Sequence, residues 1–328
     1  WKQTHELALD MCIRAHNDLG KAVMSRNLGF LRVVGLRTSP LTALDNKDQA
    51  LTTFRKLGIQ HGEVDVLSLQ LFSLRRKGDY DGALIAADRA MSQAERIDYR
   101  LGQARLWYMR ALINRERGHY DRAIACARRS LDLAQKTGSA YERVLALWEL
   151  AAACRDEETA HQVIARLHDG LAECDQRGER LLRAYLELAL GDLHRRFERP
   201  GARDLLLSGL SVLNEHRVLF GQGAGLRMLG QLVHALNRPK QAVAHLAKAV
   251  EISAKLRSIH EHALALKALG HAQCSLGAPN AALASWWRAH RLFERIPNTV
   301  EAATLTRLLD AMVSGDVAVC AGPQGSMP

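Results

Sequence analysis

This chain is poor in proline, cysteine and aromatic residues. Its 328 residues include 7 prolines and 6 cysteines, and aromatic side chains make up 5%. The cysteines are far apart and form no CxxC pair, which argues against a disulfide framework or a standard zinc module. No apolar run reaches about 18 residues, the length that a membrane-spanning helix needs, and no signal peptide is visible.

Motifs that carry enzymatic chemistry are missing as well. The sequence has no phosphate loop of the form GxxxxGK[ST], no nucleophile elbow and no HExxH pair. The glycine-rich run Gly221–Gly225 lacks the preceding strand that a dinucleotide-binding fingerprint requires, so close helix packing explains it better. We therefore expect no enzymatic activity, no catalytic residue and no cofactor.

One short segment has the composition of a metal site without its spacing. His260, His262, His271 and Cys274 lie within fifteen residues. His271 and Cys274 share a helix face, but the spacing matches no standard zinc pattern. We expect ordinary helix histidines and no bound metal.

The residues that are abundant favour an all-α protein with an anionic partner. Hydrophobic residues, mostly leucine and alanine, make up 48% of the chain, and few prolines interrupt them. The net charge of +10 favours nucleic acid, an acidic peptide or a phosphate-bearing ligand, without choosing among them. Most cysteines fall in helical patterns, which indicates buried free thiols and a cytoplasmic location.

A forty-residue period organises the chain. The block Gly78–Ala83 recurs as Gly118–Ala123, and the small residue that closes each block recurs at Ala242 and Ala282. Such a period is typical of stacked helical hairpins, each too small to bury its own apolar face. In the third repeat it predicts one helix over 99–116 and a second over 120–136, with Gly138 as a left-handed cap. The fold class expected is an all-α, right-handed superhelical solenoid of about seven hairpins.

The same period divides the chain into segments. We expect hairpins near residues 20–59, 60–98, 99–138, 139–177, 178–217, 218–257 and 258–296. Capping helices over 1–19 and 297–313 are predicted to cover the apolar ends of the array. The tail 314–328 is rich in glycine and proline and is expected to be disordered. Because the chain starts at Trp1 within a helical pattern, we also expect it to be a fragment of a longer protein.

The same residue types recur at corresponding positions of the repeats. The repeats resemble the tetratricopeptide repeat in four respects. They have a large residue early in the first helix (Trp107), Leu-Gly pairs, a tyrosine after the turn and recurring alanines. The small residues allow two helices to approach closely. In the last repeat, Trp286 takes the core position of the second helix, and Trp287 is expected to be partly exposed or covered by the closing helix.

The amino-acid sequences of the repeats are similar to those of actinobacterial antibiotic-regulatory activators and related signal-transduction ATPases. The similarity covers roughly residues 20–296. In those proteins a tetratricopeptide half senses a ligand or restrains the rest of the chain. The resemblance therefore implies a sensor region of such a regulator.

Four arginines follow the period and suggest a binding groove. Arg75, Arg115, Arg155 and Arg195 are forty residues apart and are predicted late in the first helix of four successive repeats. In tetratricopeptide arrays this position faces the concave groove, where guanidinium forks fit carboxylate or phosphate. The same register adds Phe72, Arg76, Arg105, Tyr108, Leu112, Asp192, Arg196, Arg227, Gln231 and Lys267. The alternative is that these cations are solvated helix ends that complement the helix dipole.

Binding is accordingly the function that the sequence favours. We expect a non-enzymatic sensor or protein-interaction domain of a larger bacterial signalling or transcriptional regulator. Its partner would be a peptide or protein segment, acidic or from the same polypeptide, or an anionic ligand, with no membrane partner. Two alternatives are a basic helical-repeat protein associated with nucleic acid and a scaffold for oligomerisation. The scarcity of aromatic residues and the lack of a helix-turn-helix argue against direct nucleic-acid recognition.

Overall fold

The computed structural model describes residues 2–33 and 45–314, and helices dominate these residues, which contain no strand. The sixteen helices of this described part are α1 (Lys2–Arg14), α2 (Asp18–Val33), α3 (Asp45–Lys56), α4 (Gln60–Lys77), α5 (Tyr80–Arg96), α6 (Arg100–Glu116), α7 (Tyr120–Thr137), α8 (Ala140–Ala153), α9 (Glu157–Arg177), α10 (Arg180–Arg196), α11 (Ala202–Glu215), α12 (Leu219–Ala235), α13 (Pro239–Lys255), α14 (Ile259–Ser275), α15 (Pro279–Arg295) and α16 (Thr299–Val313). Helices α6 and α7 match the predicted helices of the third repeat to within one residue at each end. The prediction of an all-α repeat solenoid is confirmed.

The helices group into two compact units. Unit 1 comprises Trp1–Ile113 and Arg122–Glu149, and unit 2 comprises Asn114–Asp121 and Leu150–Pro328. The predicted division into seven hairpins and two capping helices stays a prediction. The expected disorder of the tail concerns residues 315–328, which lie outside the described residues, as do residues 34–44 of the first predicted hairpin.

The core of unit 1 lies between α4, α5 and α6. Val64 and Leu71 of α4 and Leu106 and Met109 of α6 are fully buried, and they pack with Met91 of α5. Alanines fill the remaining contacts, because a side chain of one carbon lets neighbouring helices approach. The fully buried alanines of α5 and α7 are Ala83, Ala87, Ala90, Ala94, Ala123, Ala127 and Ala134.

Glycine has the same role in unit 2. A Cβ added to Gly191 of α10 would lie 2.9 Å from Cγ of Leu206 in α11. One added to Gly230 of α12 would lie 2.6 Å from Cγ of Leu246 in α13. At Gly270 a Cβ would collide with the ring of Trp286, which is fully buried as predicted. The Leu-Gly pairs therefore mark the places where two helices touch.

Glycines with positive φ end several helices, among them α4 and α7. Gly78 has φ of 87° and stops α4, and its N–H donates to the carbonyl of Arg75. The side chain of Asp79 then accepts from the N–H of Gly82 and caps α5. Gly138 also has positive φ, at 70°, which confirms its predicted left-handed cap. A glycine is favoured at these positions because L-residues with a Cβ rarely adopt positive φ.

The described cysteines follow the prediction in part. Cys154 and Cys174 are buried free thiols, and Cys12 and Cys126 are free and half-buried. Cys274 is buried but disulfide-bonded, so the expected free thiol is wrong there. Among the helices described, none is long and apolar enough to cross a membrane.

Candidate interaction surfaces

Three of the predicted binding residues meet on neighbouring helices of unit 1. Phe72 of α4 and Tyr108 of α6 lie with ring centroids 6.4 Å apart. The guanidinium carbon of Arg75, one turn along α4, is 5.9 Å from the centroid of Phe72. All three side chains are half-buried. Helices α4 and α6 thus present an aromatic pair with a cation at its edge.

Arg105 is held by two carboxylates on the helices that flank α6. Its Nη1 donates to Oδ1 of Asp65 at 2.7 Å, and its Nε donates to Oε1 of Glu142 at 2.7 Å. Asp65 also accepts from Nη1 of Arg26 at 3.1 Å and from the hydroxyl of Tyr99 at 3.0 Å. Burial by itself would lower the pKa of Arg105, but the two carboxylates raise it above its ordinary value. Arg105 therefore joins helices and is not an open ligand for an anion.

The remaining predicted residues of unit 1 are less available. Leu112 exposes 6% of its surface and packs in the core cluster of α4, α5 and α6. It lies one turn beyond Tyr108 on α6, where the neighbouring helices cover it. Arg76 is half-buried at the end of α4.

In unit 2, Asp192 of α10 lies between two predicted groove arginines. Its Oδ1 accepts from Nη2 of Arg195 at 2.7 Å, and its Oδ2 is 3.1 Å from Nε of Arg196. Burial by itself would raise the pKa of Asp192, yet Arg195 and Arg196 hold it well below its usual range. The carboxylate is thus a buried anion that neutralises the two cations next to it.

Arg155 and Arg196 both donate hydrogen bonds to carbonyl groups at the C-terminal end of α8. Nη1 of Arg155 donates to the carbonyls of Ala152 and Cys154 at 2.9 and 2.7 Å. Arg196 donates to the carbonyl of Cys154 at 2.7 Å and to that of Ala151. Because α8 ends at Ala153, Arg155 lies beyond the helix and not in its last turn as expected. Both arginines satisfy carbonyl groups that a helix end leaves unpaired.

Three bridges between an arginine or lysine and a glutamate connect successive even-numbered helices. In each bridge the glutamate lies in the first turn of the later helix, where the helix dipole favours negative charge. The N–O distances are 2.7, 3.0 and 2.6 Å. The pairs are Arg105–Glu142, Arg227–Glu261 and Lys267–Glu301. Gln231 extends the second bridge, since its Oε1 accepts from Arg227 at 3.1 Å.

Arg115 lies in the interior of unit 2 and not on an open surface. It exposes 7% of its surface, and its positive charge helps to lower the pKa of Glu261. The adjoining turn is held by Asn298, whose Nδ2 donates to the carbonyl of Glu116 at 2.8 Å although 182 residues separate them. The Oδ1 of Asn298 accepts from the N–H of Glu301 and caps α16. This single side chain therefore joins the turn after α6 to the start of α16.

Four of the predicted cations of unit 2 are neutralised by carboxylates of the same unit. Arg195, Arg196 and Arg227 each contact a carboxylate, and Lys267 does so on α14. Sequence reasoning identified these cations and Asp192 but missed the glutamates that bind two of them. A usable signal was present, because Glu261 and Glu301 are separated by the same forty residues as Arg227 and Lys267.

The histidine-rich segment does not converge on one point. His260 lies against the ring of Phe293, and His271 lies against Trp286 with centroids 5.2 Å apart. His262 instead contacts Ser253 at 3.1 Å. Burial lowers the pKa of His271 to about 4. Within the part of the chain that the structure describes, no three His, Cys, Asp or Glu residues are placed to hold a metal ion.

The glycine run of α12 lies in a close helix contact, as expected. A Cβ on Gly221 would lie 2.7 Å from Leu213, and one on Gly225 would lie 2.7 Å from Leu210. One on Gly223 would lie 3.1 Å from Ile252. The run lets α12 approach α11 and α13.

Comparisons with known proteins agree with this architecture. The family model of the tetratricopeptide repeat matches residues 72–136. A search of curated proteins found no match.

Two solved structures have a similar fold. One is a Rap protein complexed with Competence and Sporulation Factor, with 12% identity and a TM-score of 0.55 over 96% of this chain and 99% of that one. The other is a signal-transduction ATPase with numerous domains and a tetratricopeptide repeat sensor, from Pyrococcus horikoshii. It is 12% identical with a TM-score of 0.56, over 96% of this chain and 54% of that one. At this identity the likeness concerns the fold alone. Residues 72–136 thus match the tetratricopeptide repeat, and the fold of the chain resembles that of these two structures.

Proposed function

We propose that this chain is a non-enzymatic interaction domain that binds a peptide segment on the surface of α4 and α6. In this proposal it serves as the sensor region of a larger bacterial regulator. The observation that carries it is the cluster of Phe72, Tyr108 and Arg75, which places two rings and a guanidinium group on adjacent helices.

The composition of this cluster suits protein recognition. Tyrosine, other aromatic residues and arginine are enriched in protein interfaces and dominate their binding energy. Aromatic rings offer a large apolar contact with few rotatable bonds. A cation at the edge of the rings adds a preference for a neighbouring carboxylate. The surface therefore favours a peptide that carries an apolar side chain next to an acidic one.

The cluster is also held in place before any ligand arrives. Phe72 and Tyr108 both pack against the core formed by Val64, Leu71 and Leu106. Because their inner faces are fixed, little side-chain freedom remains to be lost on binding. The neighbouring Arg105 is fixed as well, by Asp65 and Glu142. Binding to such a surface would bias the regulator between a restrained and an active state, provided that one state presents it better.

The relatives support a peptide ligand by analogy. The Rap protein of similar fold was crystallised with Competence and Sporulation Factor, and the ATPase carries a repeat sensor. A domain of the same fold with an aromatic surface is a reasonable receptor for a short segment of a protein.

The test is selection of short peptides from a random display library on the wild-type domain. Enriched peptides should combine an apolar residue with Asp or Glu. The Phe72→Ala/Tyr108→Ala variant should bind them at least about tenfold more weakly, or about 1.4 kcal/mol. The Arg75→Glu variant, which leaves the aromatic packing intact, should select against acidic peptides.

Ile85→Ala is the matched control. Ile85 lies on α5 of the same unit and is 55% exposed, so its truncation removes apolar surface away from the cluster. It should leave peptide affinity unchanged. If no peptide is enriched, or if the enriched peptides bind the double variant and the control equally, the proposal is wrong.

A further inference from the structure

We infer that unit 2 carries a second site, a depression between α14 and α15 that binds an organic phosphate. The depression has a volume of about 530 Å³ and includes Arg288, Arg291 and Arg295 in its wall. This volume lies in the range of roughly 300 to 1,000 Å³ that small-molecule sites occupy. The site is independent of the peptide surface on unit 1.

The three arginines form one charged strip along α15. Their spacing of three and four residues places them on one side of a helix, over roughly 10 Å of its length at about 1.5 Å per residue. All three are exposed. No hydrogen bond or ion pair joins their guanidinium groups to another residue in the described ranges. They are therefore available to an anion from solution.

The rest of the wall supplies little negative charge. Glu294 also lines the depression, but its carboxylate lies 3.6 Å from Nδ1 of His290. His262 of α14 contributes an imidazole ring, whose Nδ1 is 3.2 Å from the carbonyl of Val250. Burial and then the positive charge of Arg288 lower the pKa of His262. The net charge of the wall is thus positive.

The floor of the depression is apolar. Leu266 of α14 is fully buried there, and Leu292 of α15 is half-buried. A guanidinium fork pairs with phosphate through two parallel hydrogen bonds, and a phosphate dianion can engage more than one fork. The half-buried Leu292 then favours a ligand whose phosphate is attached to an apolar body. A compact ligand of this kind fits the depression, which spans only two turns of α15, better than an extended acidic peptide does.

Isothermal titration calorimetry of the full chain with three probes tests the inference. Phenyl phosphate should bind, and it should bind several-fold more tightly than inorganic phosphate because of the leucine floor. Hexaglutamate should bind more weakly than phenyl phosphate. The Arg288→Gln/Arg291→Gln variant should lose at least about tenfold in affinity for phenyl phosphate.

The matched control is Arg166→Gln/Arg203→Gln. It removes the same charge from exposed positions on α9 and α11 of the same unit, so it should bind phenyl phosphate like wild type. Circular dichroism of each variant checks that it is folded, and Arg295→Gln provides a second, milder probe of the strip.

Several results would overturn the inference. The inference is wrong if the wild-type protein does not bind phenyl phosphate, or if the Arg288→Gln/Arg291→Gln variant binds it like the control. It is also wrong if inorganic phosphate binds as tightly as phenyl phosphate, or if hexaglutamate binds more tightly. Loss of peptide binding by the Phe72→Ala/Tyr108→Ala variant would leave this site untouched, since the two sites share no residue.

Discussion

Two groups of arginines in unit 2 have the same chemistry and opposite surroundings. Arg195, Arg196 and Arg227 on α10 and α12 each meet a carboxylate within 3.1 Å. Arg288 and Arg291 on α15 are exposed, with no ion pair to any residue of the described part. The difference teaches that a periodic cation in a repeat protein marks a helix contact as readily as a binding site. What decides is whether a carboxylate lies within reach, either on the same helix, as Asp192 does, or on a later helix, as Glu261 does.

The largest effect should follow the loss of the carboxylate that serves two arginines. Asp192→Ala leaves the half-buried guanidinium groups of Arg195 and Arg196 without their anion, and the loss should approach the roughly 3–5 kcal/mol that breaking a buried ion pair costs. Urea denaturation measures the change. Asp204→Ala, at an exposed position on α11, should change stability by less than about 0.5 kcal/mol. Equal effects of the two substitutions would mean that the buried network does not hold α10 in place.

Acid should expose the same difference without a mutation. The folded state depresses the pKa of Asp192 and of Glu261, where burial opposes the shift and the neighbouring arginines outweigh it. A carboxyl group whose pKa is depressed by folding stabilises the folded state at pH values above its pKa in the unfolded chain, which is near 4. That stability is lost as pH falls through the folded value. We expect urea midpoints to fall from pH 5 to pH 3, with a shallower fall in Asp192→Ala. A parallel fall in both proteins would contradict this origin.

The bridges between even-numbered helices should show a smaller, pairwise effect. Lys267 and Glu301 are 2.6 Å apart, and their side chains are 23% and 16% exposed. A double-mutant cycle with Lys267→Ala and Glu301→Ala should give a coupling energy of about 1 kcal/mol, measured by thermal or urea unfolding. A coupling near zero would place this bridge with ordinary surface ion pairs.

The smallest effect on stability should come from the arginines of α15. Arg288→Ala and Arg291→Ala remove no ion pair, so each should change the free energy of unfolding by less than about 0.5 kcal/mol. Arg227→Ala, measured alongside, should be clearly worse because it leaves the half-buried Glu261 without its partner. If Arg291→Ala proved as destabilising as Arg227→Ala, the contrast between the two groups would fail.

Much of the fold could be predicted because each repeat is specified by residues that lie close together in the sequence. The turn from Gly78 to Gly82 needs a left-handed residue and then a capping carboxylate, and both are visible in the sequence. The Leu-Gly pairs indicate a close helix approach, and Gly270 indeed meets Trp286. These signals depend on neighbours within one hairpin, so no three-dimensional information was needed to read them.

The candidate site was predicted less well, because the exposure of a side chain depends on what the neighbouring helices contribute. Phe72, Arg75 and Tyr108 do come together. Arg115 is buried near Glu261, and Arg155 lies beyond the end of α8. The forty-residue period predicted no binding role for the exposed Trp287 or for the neighbouring arginine strip, since these residues occur in one repeat alone. An isolated cluster has no repetition to reveal it.

By itself, the sequence determined the helices, their turns and the small residues through which they pack, because these follow from spacing along one chain. The tertiary structure decided which charges remain available. The glutamates of α8, α14 and α16 reach back to cations one repeat earlier, while no carboxylate of the described part pairs with the arginines of α15. The physical reason is range: helix formation depends on residues three or four positions apart, whereas these three glutamates lie more than thirty residues from the cations that they neutralise.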